Sequence, residues 1–83
     1  MSHPQPVLYV KTGCPWCAEA LEFLSRNGIA HETVVVSNNP AAMQEMMAKS
    51  GQTKSPVLDW HGEILADFGE AELAPFLKKL AVI

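Results

Sequence analysis

The chain holds two cysteines, Cys14 and Cys17, three residues apart in the run Thr12-Gly13-Cys14-Pro15-Trp16-Cys17. They stand where one hydrophobic period gives way to another. Ahead of them, Val7-Leu8-Tyr9-Val10 is a short β-prone apolar run bounded by Pro6 and Gly13, which reads as a buried strand. Behind them, Cys17, Ala20, Leu21, Leu24 and Gly28 share one helical face while Glu19, Glu22 and Arg26 fall elsewhere, so 15–27 reads as an amphipathic helix. Pro15 suits its first turn, Gly28 its end, and Glu22 with Arg26 forms a favourable i,i+4 pair. Disulfide-stapled secreted domains carry four or more cysteines spread along the chain. A pair this close closes too small a loop to stabilise much, so its value is chemical.

The rest of the chain continues the alternation. Residues 31–36 read as a second strand dense in β-branched residues, and Asn39 with Pro40 reads as the cap and first position of a second helix. Met43, Met46 and Met47 mark that helix's apolar face and Gly51 its end. Residues 56–60 and 63–66, joined by a turn at His61-Gly62, read as a hairpin. Leu73, Phe76, Leu77 and Leu80 mark a last helix. Pro75 is awkward inside it, so its regular part is expected to begin near 72–74, after a looser turn at 68–70.

The order β-α-β-α-β-β-α, with a right-handed parallel crossover between the first two strands and an antiparallel hairpin added, gives an α/β, thioredoxin-like fold. Its four-stranded mixed sheet is covered by helices. With 83 residues, residues 1–83 are read as one domain with its core over about 6–82. Forty-eight per cent apolar residues support that core. A net charge of −3 offers no basic surface for a phosphate backbone, so nucleic acid is a poor partner. The apolar runs are far shorter than the ~20 residues of a spanning helix, and no secretory signal is visible over 1–6. A soluble, cytoplasmic, monomeric protein is expected.

Placed at the strand–helix junction, Cys14 faces unpaired backbone N–H groups and the positive end of the helix dipole, which favour thiolate over thiol. Lys11 adds a nearby cation. The thiolate is the nucleophile, and Cys17, nearly a turn further in, is expected to be buried and to resolve the mixed disulfide that Cys14 forms. Structural zinc wants four ligands, and no second cysteine pair exists; His3, His31 and His61 show no ligand spacing. No metal site is expected. The methionines and Trp60 read as packing, His31 as a solvated histidine and His61 as a turn residue.

The run from Val7 to Gly28, with Lys11 and Cys14-Pro15-Trp16-Cys17, resembles the glutaredoxins, whose usual motif is Cys-Pro-Tyr-Cys. The resemblance extends through residues 50–53 to Pro56. It implies that Pro56 is cis, leaving the Ser55 backbone to pair with the cysteine of a bound glutathione. The family's Gly-Gly-x-Asp is replaced here by Ala66-Asp67-Phe68-Gly69, in which Asp67 resembles the acidic residue of the N-terminal domain of glutathione transferases. That likeness implies Asp67 on the γ-glutamyl ammonium, the Phe68 and Gly69 amides on its carboxylate, and Lys11 or Lys54 on the glycine carboxylate. The structural alternative for Asp67 is a cap of the turn before the last helix.

The resemblance thus implies a dithiol oxidoreductase with no tightly bound cofactor. Glutathione is its electron donor, and protein disulfides or protein–glutathione mixed disulfides are its substrates. Cys14 is the nucleophile, Cys17 the resolving thiol, and Trp16, Lys11, Lys54, Ser55, Pro56, Asp67 and Phe68 are the expected glutathione contacts. Three alternatives stand beside it: a redoxin recharged by thioredoxin reductase, an iron–sulfur cluster carrier, against which Pro15 argues, and a module that binds glutathione without turnover, against which Cys17 argues.

Overall fold

A strand of four residues whose side chains are all buried forms the centre of the molecule: β1 (Val7–Val10), in a computed structural model that describes residues 4–83. The expectations for His3 and for the first residues of the chain lie outside the described residues. Six elements follow: α1 (Pro15–Arg26), β2 (Glu32–Val35), α2 (Pro40–Ser50), β3 (Val57–Trp60), β4 (Glu63–Ala66) and α3 (Glu70–Lys79). The sheet order is β2-β1-β3-β4. β1 runs parallel to β2, with Val7 beside Glu32, and antiparallel to β3, with Leu8 opposite Leu58; β4 closes the hairpin. This is the expected thioredoxin-like arrangement.

Period-2 alternation along β1 splits the core in two. Leu8 and Val10 point to one face, where Cys17, Ala20, Phe23, Leu24, Leu58, Leu73 and Leu77 pack, so α1 and α3 cover it together. Val7 and Tyr9 point to the other, where Val57, Val36, Ala42 and Met46 pack beneath α2. β1 is therefore buried on two sides, which explains its uninterrupted apolar run, while β3 is buried at Val57 and Leu58 and half-buried at Asp59 and Trp60.

Local chemistry sets most boundaries. The Asn39 side chain accepts the Ala42 N–H at 3.2 Å, Pro40 occupies the first helical position, and Gly51 ends α2 at φ 71°. The hairpin turns on His61 and Gly62, both at positive φ, while the Asp59 carboxylate accepts the Gly62 N–H at 2.8 Å.

Some expectations are corrected. β2 begins at Glu32; His31 precedes it, half-buried, with Nδ1–H donating to the Ile29 carbonyl at 2.9 Å. Met46 is buried but Met47 is exposed, because the apolar stripe of α2 is narrower than the methionines suggest and is completed by Ala42. The last helix starts at Glu70, ahead of the expected 72–74, and keeps Pro75 inside it. It starts early because Glu72 Oε1 accepts the Gly69 N–H at 2.7 Å while Gly69 O accepts from Leu73 at 3.0 Å, and because Glu70 and Glu72 complement the helix dipole. Pro75 deprives only the carbonyl of Ala71, an exposed residue in the first turn.

Candidate active site

Cys14 is the N-cap of α1, with extended backbone at φ −95°, so its side chain turns back over the first helical turn. There its Sγ accepts the Cys17 N–H at 3.2 Å. Pro15 at the first helical position lacks an N–H that would otherwise compete for this acceptor. Cys17, one turn inward, is only 2% exposed and belongs to the core beneath α1. Both thiols are free.

Burial opposes ionisation of Cys14. The Cys17 thiol and amide, the Ser55 hydroxyl and the Trp16 amide outweigh it and hold the Cys14 thiol below its ordinary range. For Cys17 the balance reverses. Burial and the adjacent Cys14 sulfur push it up, and the Ser55 hydroxyl offsets only part. The pair is therefore split, with the outer thiol the more acidic and the inner one the less.

The Ser55–Pro56 peptide bond is cis, and Pro56 is buried at the start of β3. The Ser55 hydroxyl lies beside both cysteines: Cys17 Sγ is 3.4 Å and Cys14 Sγ 3.7 Å from Ser55 Oγ. The family resemblance implies a role for the Ser55 backbone alone. Its hydroxyl enters the site across the fold, 38 and 41 residues from Cys17 and Cys14, a contact that sequence pattern does not record.

Lys11 does not aim its ammonium at Cys14; Nζ donates to the Thr53 carbonyl at 2.7 Å and ties the β1–α1 loop to the loop before Pro56. Lys54 is exposed and lies 4.0 Å from Asp67 Oδ2. Asp67 takes a positive φ of 53°, and its N–H donates to the Pro56 carbonyl at 2.9 Å, so the residue after β4 is locked beside the cis-proline. The N-cap of α3 is Gly69.

Trp16 is 58% exposed and its ring lies against the Gly69 backbone; a Cβ there would come within 3.1 Å of the indole. Trp16, Asp67, Phe68, Gly69 and Glu72 enclose a cavity of about 310 Å³. The Phe68 side chain is 4% exposed and packs into the core under α1 and α3, so its backbone is what faces this cavity. The Gly69 N–H, expected to be free for a carboxylate, is bonded to Glu72 Oε1. A second cavity of about 360 Å³ borders Cys14 itself and is lined by Val10, Gly13, Pro15, Ala18 and Leu21 among others.

Away from the cysteines, the α2 face of the sheet carries a polar cluster that periodicity does not reveal. The Tyr9 hydroxyl donates to Glu45 Oε2 and accepts from Lys49 Nζ at 2.7 Å, and Lys49 also pairs with Asp59 Oδ2 at 2.7 Å. Burial, reinforced by the Glu45 carboxylate, raises the Tyr9 pKa to about 12. Burial works against the Lys49 charge, yet the Asp59 and Tyr9 oxygens more than offset it and push its pKa up.

Residues 7–65 match the family model described as Glutaredoxin. An uncharacterized glutaredoxin-like 8.6 kDa protein in the rubredoxin operon of Clostridium pasteurianum is 31% identical over 72 residues, 87% of this chain and 96% of that protein. Glutaredoxin 3 of Escherichia coli is 35% identical over 49 residues, 59% of each chain. Among solved structures, a thioredoxin-like protein of 27% identity superposes with a TM-score of 0.79, covering 88% of this chain and all (100%) of the other. The buckwheat glutaredoxin–glutathione complex, at 19% identity and TM-score 0.66 over 95% of this chain and 81% of that one, shares the fold. The family match ends before Asp67, so the glutathione-transferase-like reading of the second half is not part of it.

Proposed function

The chain belongs to the glutaredoxin family of thiol–disulfide oxidoreductases, and from that premise we propose that it is a glutathione-dependent enzyme reducing protein disulfides and protein–glutathione mixed disulfides. The observation that carries the proposal is the division between the two sulfurs. Cys14 caps α1, where the Cys17 amide and the Ser55 hydroxyl favour its thiolate, while Cys17 waits behind it, buried and disfavoured as an anion.

In this mechanism Cys14 Sγ⁻ attacks one sulfur of the substrate disulfide, and the other sulfur leaves with the bonding pair and takes a proton from solvent. Cys17 then attacks Cys14 Sγ, releasing the second substrate thiol and closing Cys14–Cys17. Two glutathione molecules reopen that bond and leave as glutathione disulfide. Glutathione is accommodated on the Pro56 side. The Ser55 backbone pairs with its cysteine, Trp16 covers its middle, Asp67 and the Phe68 amide take its γ-glutamyl end, and Lys11 or Lys54 its glycine carboxylate. The buckwheat glutaredoxin, solved as a glutathione complex, supports glutathione as a partner of this fold. A cytoplasmic location, where glutathione is kept reduced, suits the reaction.

The test is reduction of a glutathione mixed disulfide coupled to glutathione reductase and NADPH, with Cys14→Ser as control. Turnover in the wild type and none in Cys14→Ser is the expected result; equal turnover in both overturns the assignment. One observation favours a second donor. Glu72 occupies the Gly69 amide on which a γ-glutamyl carboxylate would rest. If glutathione fails to support turnover, recharge by thioredoxin reductase is the reading to test.

A further inference from the structure

A resolving thiol must lose its proton as it attacks, and Cys17 is poorly placed to do so unaided. It is 2% exposed, and burial holds it in the neutral form. The charged groups around the site are engaged elsewhere. Lys11 is bonded to Thr53 O, Asp67 sits near Lys54, and Glu72 caps Gly69. The side-chain oxygen against the Cys17 sulfur is Ser55 Oγ. Cys17 S–H donates to it at 3.4 Å, and Ser55 O–H donates onward to Cys14 Sγ at 3.7 Å. A hydroxyl accepts and donates at once, so the three groups form an unbroken line.

We propose that the Ser55 hydroxyl is the proton relay of the resolving step, carrying the Cys17 proton outward as Cys17 attacks Cys14. The proposal rests on the reading of Cys14 and Cys17 as an exchanging dithiol. In the reduced protein the line runs Cys17 S–H, Ser55 O–H, Cys14 S⁻, and each bond polarises the next. Once Cys14 is tied to a substrate sulfur it is neutral, and the Ser55 O–H loses its anionic acceptor. A Cys17 lone pair then forms the bond to Cys14 Sγ. The Cys14–substrate S–S bond breaks with its pair on the substrate sulfur. The Cys17 proton passes to Ser55 Oγ while Ser55's own proton passes outward to solvent, which protonates the departing thiolate. The dithiol is oxidised by two electrons and the substrate disulfide reduced by two. No other reactant enters.

The experiment is a single turnover of reduced protein with a short peptide carrying an intramolecular disulfide, quenched in acid and followed by mass spectrometry. In Ser55→Ala, which keeps the backbone, the Cys14–peptide adduct decays about 10²-fold more slowly, the low end of general acid–base contributions. Ser55→Thr, which restores a hydroxyl, returns the decay to within a few-fold of the wild type. Iodoacetamide alkylation of Cys14 in Ser55→Ala slows by much less than the decay does. Three results overturn the relay: unchanged decay in Ser55→Ala, no recovery in Ser55→Thr, or equal slowing of alkylation and decay. Absence of any Cys14–peptide adduct in the wild type overturns the dithiol reading itself, and with it the relay.

Discussion

The Gly69 N–H donates to the Glu72 carboxylate at 2.7 Å, so the start of α3 satisfies itself from within its own first turn. The same amide borders the cavity that Trp16 and Asp67 help enclose. Glu72 thus has two consequences, one for stability and one for binding.

Glu72→Ala removes the reciprocal half of a capping box and is expected to lower unfolding free energy by about 1 kcal/mol, read from denaturant midpoints. It also frees the amide and removes a carboxylate from the cavity. The KM for glutathione in the coupled assay is expected to fall. Glu72→Gln, which keeps an acceptor but no charge, should lie between the two. A KM that rises in both variants would contradict this account of the cavity.

The split between the thiols predicts a pH window. Cys14 is held below the ordinary thiol value of about 8.5 and Cys17 above it. Alkylation at pH 7 should label Cys14 and spare Cys17, with labelling of Cys14 falling as acid protonates it. Peptide mapping after brief iodoacetamide treatment, repeated across pH, measures both midpoints. Coincident midpoints would remove the basis for assigning different roles.

The two cysteines should also separate by substrate. Cys14→Ser abolishes reduction of every disulfide. Cys17→Ser retains removal of glutathione from a mixed disulfide, which needs one thiol, and loses reduction of protein disulfides, which needs two.

Tyr9 is the single tyrosine of the chain, so absorbance near 295 nm titrates one group. Its ionisation is expected at about 12, against about 10 for a free tyrosine. Folded Tyr9 and folded Lys49 both lie above their unfolded values. The stability linked to them is complete below about pH 10 and is lost as pH rises past that point. Lys49→Met leaves Asp59 and the Tyr9 hydroxyl short of a donor and should cost about 1–3 kcal/mol.

Much of this architecture is legible in the chain because local rules and tertiary need coincide. Val7–Val10 is buried on both faces and reads as an unbroken apolar run; Asn39-Pro40 and His61-Gly62 carry their own cap and turn chemistry. Cys14 at a strand–helix junction needs only the order of two elements. What the chain conceals depends on distant partners. Tyr9 reads as one more core residue until α2 brings Glu45 and Lys49 to its hydroxyl. Ser55 reads as a backbone contact until the fold sets its oxygen beside two sulfurs. The start of α3 is written in Gly69-x-x-Glu72, which has the spacing of a capping box, while Pro75 argues locally for a later start.

The indole of Trp16 reaches from the residue next to the nucleophile to the backbone of Gly69 on another helix. That placement gives the protein an optical reporter of its own. The emission of Trp16 should respond both to closure of the Cys14–Cys17 bond and to any ligand that slides between the ring and α3. The other tryptophan, Trp60, is partly buried against the core in the hairpin and supplies a steady background. A Trp60→Phe variant would leave a signal that follows each turnover in real time, without a dye or a coupled enzyme.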